Sequence, residues 1–167
     1  MKVFVSHSMK DQSILNGIVQ TLRKYGLKLL VAEHQVDLGV SITEKIKSMI
    51  ERSNVGLVLL TKNGIKSGFV REEIGYLTAK RKATLMVIEK GVESQYGGFK
   101  FGHDYIIFDP LNPQETIDKV KEILMNHWLK VSERQKIISE EQRRKSNNQA
   151  LVGLGVLAGL LILASNE

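Results

Sequence analysis

Apolar and polar positions change their spacing several times along this chain, and these changes separate strands from helices. Short apolar, β-branched runs predict five strands, at Lys2–Ser6, Leu27–Ala32, Val55–Leu60, Ala83–Ile88 and Tyr105–Phe108. Apolar residues three and four positions apart predict four helices, over residues 11–25, 42–52, 69–81 and 113–131. The third strand is apolar at every position, which is typical of a strand covered on both faces.

The alternation of strands and helices with short connections predicts an α/β domain, in which helices cover both faces of a parallel sheet. We expect this domain to occupy residues 1–130, followed by a charged helical stalk over residues 131–149 and an apolar C-terminal helix over residues 150–167. Ser41 is the expected N-cap of the second helix, with Glu44 completing a capping box.

The apolar segment Ala150–Ala164 has no charged residue and follows the basic triplet Arg143–Lys145 and a polar hinge, Ser146–Gln149. As a helix it spans about 22 Å, less than the roughly 30 Å hydrocarbon core of a bilayer. Two interpretations are open: a membrane anchor that keeps the domain on the cytoplasmic side, or a helix that self-assembles or packs on the domain. Both favour homo-oligomers, because an exposed apolar surface of this size seeks a partner.

Composition excludes several kinds of site. The chain has no cysteine, which excludes a disulfide, a thiol nucleophile and a cysteine metal site and fits a reducing, cytoplasmic setting. The net charge of +6 is spread without a basic run interleaved with aromatic residues, so we expect no nucleic-acid partner. His34, His103 and His127 are dispersed, and no two histidines have metal-ligand spacing, so we expect no metal site.

Candidate chemistry concentrates where the predicted strands end, because ligands of open α/β sheets bind at the carboxyl ends of the strands. Ser67–Glu73 begins a helix just beyond the third strand. Glu73 lies one turn after Phe69, so both side chains share a helix face, whereas Glu72 points about 100° away and is expected to be solvated. A carboxylate beside an aromatic ring suits chemistry on a small substrate. The alternative is that Glu73 only stabilises the helix N-terminus.

Two other segments are expected near this edge of the sheet. Ser6, His7 and Ser8 follow the first strand, and their hydroxyl and imidazole groups suit a ribose or a phosphate. Asp37 and Ile42 are expected to form the opposite wall of the cleft, the alternative being a simple turn at Asp37 and a core position for Ile42.

Asp11 has two open interpretations. It follows the first strand by a few residues and stands where the first helix is predicted to start. We expect its carboxylate to cap that helix, with contact to a ligand as the alternative.

Three blocks in order resemble a known family. Val3–Ser6 followed by Asp11 resembles the first box of Toll/interleukin-1 receptor (TIR) domains. Asp37–Gly39 with Ser41 and Ile42 resembles the loop after their second strand, with leucine where proline is common. The third block resembles the family's segment from a strand end to a helix glutamate, with phenylalanine in place of the usual tryptophan; it comprises Leu59–Thr61, Ser67, Phe69 and Glu73. The resemblance covers about residues 2–125.

The resemblance implies a flavodoxin-like five-stranded parallel sheet and two alternative functions. Some TIR domains cleave the nicotinamide–ribose bond of NAD+ or cyclise the product, and the glutamate that carries this activity corresponds to Glu73. NAD+ is then a substrate and no cofactor is expected, while TIR–TIR association activates the enzyme in antiviral defence or cell-death signalling. Other TIR domains are non-catalytic scaffolds that signal by homotypic association.

Cleavage of this bond suits a single carboxylate. A pyridinium leaving group needs no protonation, and the transition state resembles an oxocarbenium ion with positive charge on the ribose. Glu73 is expected to stabilise that charge, while Phe69 walls the pocket against the nicotinamide ring. A third hypothesis is a base-exchanging deoxyribosyltransferase, which also uses a glutamate on a related sheet.

Overall fold

The computed structural model describes residues 1–32, 41–96 and 104–164, with side chains as far as residue 146 except that of Tyr96. The chain divides into two compact units, Met1–Ile123 and Leu124–Glu167. The first unit contains the sheet and the candidate site.

Five parallel strands form one sheet in the first unit. They are β1 (Lys2–Ser6), β2 (Lys28–Val31), β3 (Val55–Leu60), β4 (Ala83–Glu89) and β5 (Asp104–Phe108). Their order is β2-β1-β3-β4-β5, the flavodoxin-like order, which confirms the predicted fold class.

The strand order determines where a ligand fits. From β1 the chain continues to β2 on one side and then crosses to β3 on the other. Val3 of β1 is in register with Leu29 of β2 and with Val55 of β3. The topological switch point therefore lies between β1 and β3, and a crevice is expected at their carboxyl ends.

In the described residues, four α-helices connect and follow the strands. They are α1 (Gln12–Lys24), α2 (Ile42–Arg52), α3 (Gly68–Ala79) and α4 (Pro113–Ala164), with short 3₁₀ turns at Met9–Asp11, Gly64–Lys66 and Glu93–Tyr96. Helices α2 and α3 contact each other. Helix α1 contacts the start of α4, where a β-carbon on Gly17 would lie 3.4 Å from the Ile117 side chain.

The core beneath α2 and α3 brings α3 close to the sheet. Ile50 of α2 and Ile74 and Leu77 of α3 belong to one buried cluster with strand side chains, which include Phe4 of β1 and Leu60 of β3. Gly56 of β3 permits this close approach, because a β-carbon there would lie 2.9 Å from the Leu77 side chain. The inner face of α3, which carries Glu73, is consequently held against the strands.

The predicted capping box at α2 does not form. The backbone of Ser41 is extended, as an N-cap requires, but its side chain makes no capping hydrogen bond. Glu44 nevertheless lies in the first turn, where a carboxylate is stabilised by the helix dipole. The first turn therefore contains the predicted carboxylate but lacks the Ser41 hydrogen bond of a capping box.

For residues 147–164 the structure describes the backbone only. Helix α4 continues without a break through residues 146–149, where the sequence predicted a hinge. Among the residues whose side chains the structure describes, no helix combines the length and apolar character needed to cross a bilayer. The side chains of residues 150–164 lie outside that set, so the stalk and the apolar tail stay predictions.

Candidate active site

Glu73 is held by the local structure of α3. The helix begins at Gly68 because Ser67 caps it, its Oγ accepting a hydrogen bond from the Val70 amide at 3.4 Å. With Val70 at the first buried position, helical spacing places Glu73 and Ile74 on the same inner face. Glu73 is only 2% exposed, so its carboxyl group is buried.

Burial changes the acidity of this group. The pKa of Glu73 is raised from 4.5 to about 7, first by loss of hydration and to a lesser degree by the negative charge of Glu72, while the Ser6 hydroxyl opposes the rise. Both protonation states are therefore populated near neutral pH. Carboxylic acids with pKa values near 7 are common among general acids and bases.

A groove of about 270 Å³ lies between α2 and α3 and reaches Glu73. This α2–α3 groove is bordered by Thr43, Ile46 and Lys47 from α2 and by Phe69, Glu73 and Tyr76 among the residues of α3. Phe69 is 45% exposed and borders the groove from the start of α3. Phe69 and Glu73 thus border the same groove, as their four-residue spacing predicted. Glu72 is exposed, as predicted, and also borders the groove.

The residues that follow β1 are buried beside Glu73. Ser6 is the last residue of β1 and is in register with Val58 of β3. Ser6, His7 and Ser8 are 0%, 1% and 8% exposed. Ser8 caps the 3₁₀ turn that follows, its Oγ accepting a hydrogen bond from the Lys10 amide at 3.3 Å. The Ser6 hydroxyl acts on the Glu73 carboxyl group, and the roles of Ser6, His7 and Ser8 in substrate binding stay predictions.

Asp11 does not cap α1. Its side chain makes no capping bond; one carboxylate oxygen accepts a hydrogen bond from Thr61 Oγ1 at 2.6 Å and the other from Asn63 Nδ2 at 2.8 Å. Thr61 Oγ1 in turn accepts from the Gly64 amide at 2.9 Å. These bonds join the loop after β1 to the loop after β3. The prediction of a cap was wrong because donors distant in sequence compete for the carboxylate.

A second cavity, of about 260 Å³, lies at the carboxyl ends of β1 and β3. This lysine cavity is bordered by Ser8, Lys10, Asn63, Lys66, Ser67 and Phe69. Sequence reasoning missed both lysines. The signal that would have indicated them is their position, since each follows a strand that ends at the switch point.

The opposite wall expected from the second-strand loop is only partly described. Asp37 lies outside the described residues. Ile42 is partly buried against the core beneath α2, while its neighbour Thr43 borders the α2–α3 groove. Within the described part of the chain, no three acidic or histidine side chains are grouped so that they hold a metal ion.

Comparison with known proteins decides the family. The TIR domain family matches residues 3–124. The chain belongs to the TIR domain family. This result agrees with the five-stranded sheet and its order.

Two curated proteins are similar to this TIR chain. Catabolite control protein A of Staphylococcus xylosus is 29% identical over 131 residues, which are 78% of this chain and 37% of that protein. The 2′ cyclic ADP-D-ribose synthase of Bacteroides thetaiotaomicron is 24% identical over 78 residues, 46% of this chain and 27% of that protein. The chain therefore spans well under half the length of either relative.

A solved structure shows the same fold. The TIR domain of a Toll-related receptor from Hydra magnipapillata superposes with a TM-score of 0.57 at 16% sequence identity, covering 77% of this chain and 97% of that one. The fold of this chain therefore agrees with that of a solved TIR domain.

Proposed function

We propose that this chain is an NAD+ glycohydrolase, which releases nicotinamide and leaves ADP-ribose in linear or cyclised form, with Glu73 as the catalytic carboxylate. One observation carries the proposal: the position of the family's helix glutamate holds a residue that borders a groove, and its buried carboxyl group has a pKa raised to about 7. Similarity to a 2′ cyclic ADP-D-ribose synthase supports NAD+ as the substrate.

The proposed reaction needs few groups. The bond between ribose C1′ and the pyridinium nitrogen breaks, its electron pair stays on the nitrogen, and neutral nicotinamide departs. Ionised Glu73 stabilises the cationic ribose, and its burial strengthens the attraction because the surroundings are poorly hydrated. A water molecule then adds its oxygen to C1′ and gives a proton to Glu73, which releases it to solvent. In cyclisation a hydroxyl group of the same molecule takes the place of water.

Burial of Glu73 also places a condition on the proposal. With 2% of the residue exposed, a substrate reaches the carboxyl group only when the walls of the α2–α3 groove separate. We propose that self-association of the TIR domains provides this change, so that the dispersed chain is inactive and clustering activates it. An antiviral defence or cell-death role would follow from consumption of NAD+.

The test is nicotinamide release from NAD+ by the full chain, first dispersed and then clustered on beads. Glu73→Gln keeps the size of the side chain and removes its charge, and it is expected to lower turnover by at least about a hundredfold. Glu122→Gln removes an exposed carboxylate from α4 and is the matched control, expected to retain activity. Turnover that survives in Glu73→Gln would refute the assignment of this residue.

The alternative function is a non-catalytic TIR scaffold that signals by homotypic association. The near-complete burial of Glu73 favours it, because a buried acid also serves in packing against β1. Absence of nicotinamide release in every assembled state, with self-association intact, would support the scaffold. Deoxynucleosides are included as substrates, since base exchange would indicate a deoxyribosyltransferase.

We further propose that residues 150–164 attach the protein to a membrane, because a run of this length without a charged residue is costly to expose to water. The basic residues that precede it would keep the TIR domain on the cytoplasmic side. Attachment at one surface would also raise the local concentration of TIR domains and so favour the clustering proposed above.

A further inference from the structure

The lysine cavity has the composition of an anion site. Lys10 and Lys66 border it from the two loops that follow β1 and β3. Neither ammonium group forms an ion pair with any residue in the described part of the chain. Two positive charges therefore border this one cavity.

Neutral donors accompany the two charges. Ser8, which is 92% buried, accepts a hydrogen bond from the Lys10 amide and keeps its hydroxyl hydrogen to donate. Ser67 borders the cavity at the start of α3, so the positive end of that helix dipole faces the same space. Two ammonium groups, hydroxyl donors and a helix start together match the oxygens of phosphate groups.

The walls of the lysine cavity are fixed before any ligand arrives. Asp11 accepts hydrogen bonds from Thr61 and Asn63 at 2.6 and 2.8 Å, which holds the two loops together. These bonds occupy both carboxylate oxygens and direct them toward the β3 loop. Asp11 consequently holds together the two loops that form the cavity wall, and Asp11 itself does not border the cavity.

Phe69 connects this cavity to the proposed reaction centre. Phe69 borders both the lysine cavity and the α2–α3 groove, and Glu73 borders the groove four residues further on, about 6 Å along the helix axis. In a nucleotide, one ribose ring separates C1′ from the 5′-phosphate. A nicotinamide ribose with C1′ at Glu73 and its 5′ end toward Phe69 has its phosphate directed at the lysine cavity.

We infer that the lysine cavity binds the diphosphate group of the dinucleotide substrate, with Lys10 and Lys66 as the residues that select diphosphate-bearing nucleotides over nucleosides. This inference rests on the proposed function for the identity of the substrate. The binding of a nucleotide diphosphate to the two lysines is measurable without turnover.

The test is calorimetric titration of the full chain with ADP-ribose, ADP, adenosine and inorganic pyrophosphate. Lys10→Gln and Lys66→Gln are each expected to weaken ADP-ribose and ADP binding about tenfold and to leave adenosine binding unchanged. Lys24→Gln removes an exposed charge from the far end of α1 and should bind like wild type. Higher salt should weaken binding to wild type more than to the lysine variants.

Kinetics give the second measurement. If NAD+ is cleaved, the lysine variants should raise KM for NAD+ with little change in kcat, while hydrolysis of nicotinamide riboside, which has no phosphate, is unaffected. Equal ADP-ribose affinity in wild type and variants, or no ADP-ribose binding to wild type, would overturn the inference. Pyrophosphate binding as tightly as ADP-ribose would also overturn it, since the cavity would then hold an anion without selecting a nucleotide.

The two proposals fail separately. Binding that depends on the lysines, in a protein that never releases nicotinamide, would reject the NAD+ glycohydrolase and leave a nucleotide-diphosphate site. Nicotinamide release with unchanged KM in both lysine variants would reject the lysine cavity and leave Glu73 as the catalytic residue.

Discussion

Replacing Glu73 by glutamine should make the protein more stable, and increasingly so as the pH rises. The pKa of Glu73 is about 7 in the folded chain, against an ordinary value of 4.5. The folded state thus holds a proton more tightly than the unfolded state does, and wild-type stability falls as pH rises from 4.5 to about 7. At about 1.4 kcal/mol per pKa unit, the whole effect is roughly 3 kcal/mol.

Glutamine cannot lose a proton in this range, so the variant lacks this loss of stability. The difference between the unfolding free energies of Glu73→Gln and wild type should grow by about 2.5 kcal/mol from pH 5 to pH 8, the part of the range accessible without acid unfolding. Urea unfolding followed by circular dichroism at both pH values measures it. Glu122→Gln, with its side chain exposed on α4, should show a much smaller change with pH.

A pH-independent difference between Glu73→Gln and wild type would refute the reasoning. It would mean that the carboxyl group is hydrated in solution and that the groove stands open without a partner. Substrate would then reach Glu73 without any separation of the walls of the α2–α3 groove.

Four further predictions follow from described contacts or from the sequence. The kcat/KM for NAD+ should rise with pH and level off above about 7, because the ionised form of Glu73 is the active one; a profile flat from pH 5 to 8 would contradict this role. Asp11→Ala should destabilise the protein by about 1–3 kcal/mol in urea, because it leaves the donors of Thr61 and Asn63 without their acceptor. Gly64→Ala should lower the free energy of unfolding by about 1–3 kcal/mol, because a β-carbon would lie 2.6 Å from the Leu59 carbonyl oxygen. A β-carbon at Gly68 meets no atom within 4 Å, so Gly68→Ala should be neutral or slightly stabilising. Equal effects of the two substitutions would be inconsistent with this packing. The full chain should sediment with membranes and require detergent for extraction, and removal of residues 147–167 should release it; identical fractionation of both would exclude a tail anchor.

The fold was predictable because its signals are local. Each strand contains a short apolar run, and the predicted bounds of β1 and β3 coincide with the observed ones. The spacing of Phe69 and Glu73 placed both on the α2–α3 groove, because a four-residue separation fixes a helix face. The family blocks then supplied the strand order, which periodicity alone does not determine.

The burial of Glu73 and the contacts of Asp11 were not predictable from local patterns. A glutamate in a helix is ordinarily exposed, and here it is covered because α3 packs closely on the strand that carries Gly56. Asp11 meets its donors 50 and 52 positions away. The lysines were missed for the same reason, since the lysine cavity exists only where two loops distant in sequence meet.

The distance in sequence between Asp11 and its hydrogen-bond donors has a consequence for biosynthesis. The bonds between Asp11 and the β3 loop require the chain to close over fifty positions, a step that is slow relative to formation of the individual helices. A growing chain therefore has neither lysine cavity nor groove until α3 has left the ribosome and settled on the sheet. Under the proposed NAD+ glycohydrolase activity, unfinished polypeptides would lack the site that cleaves NAD+.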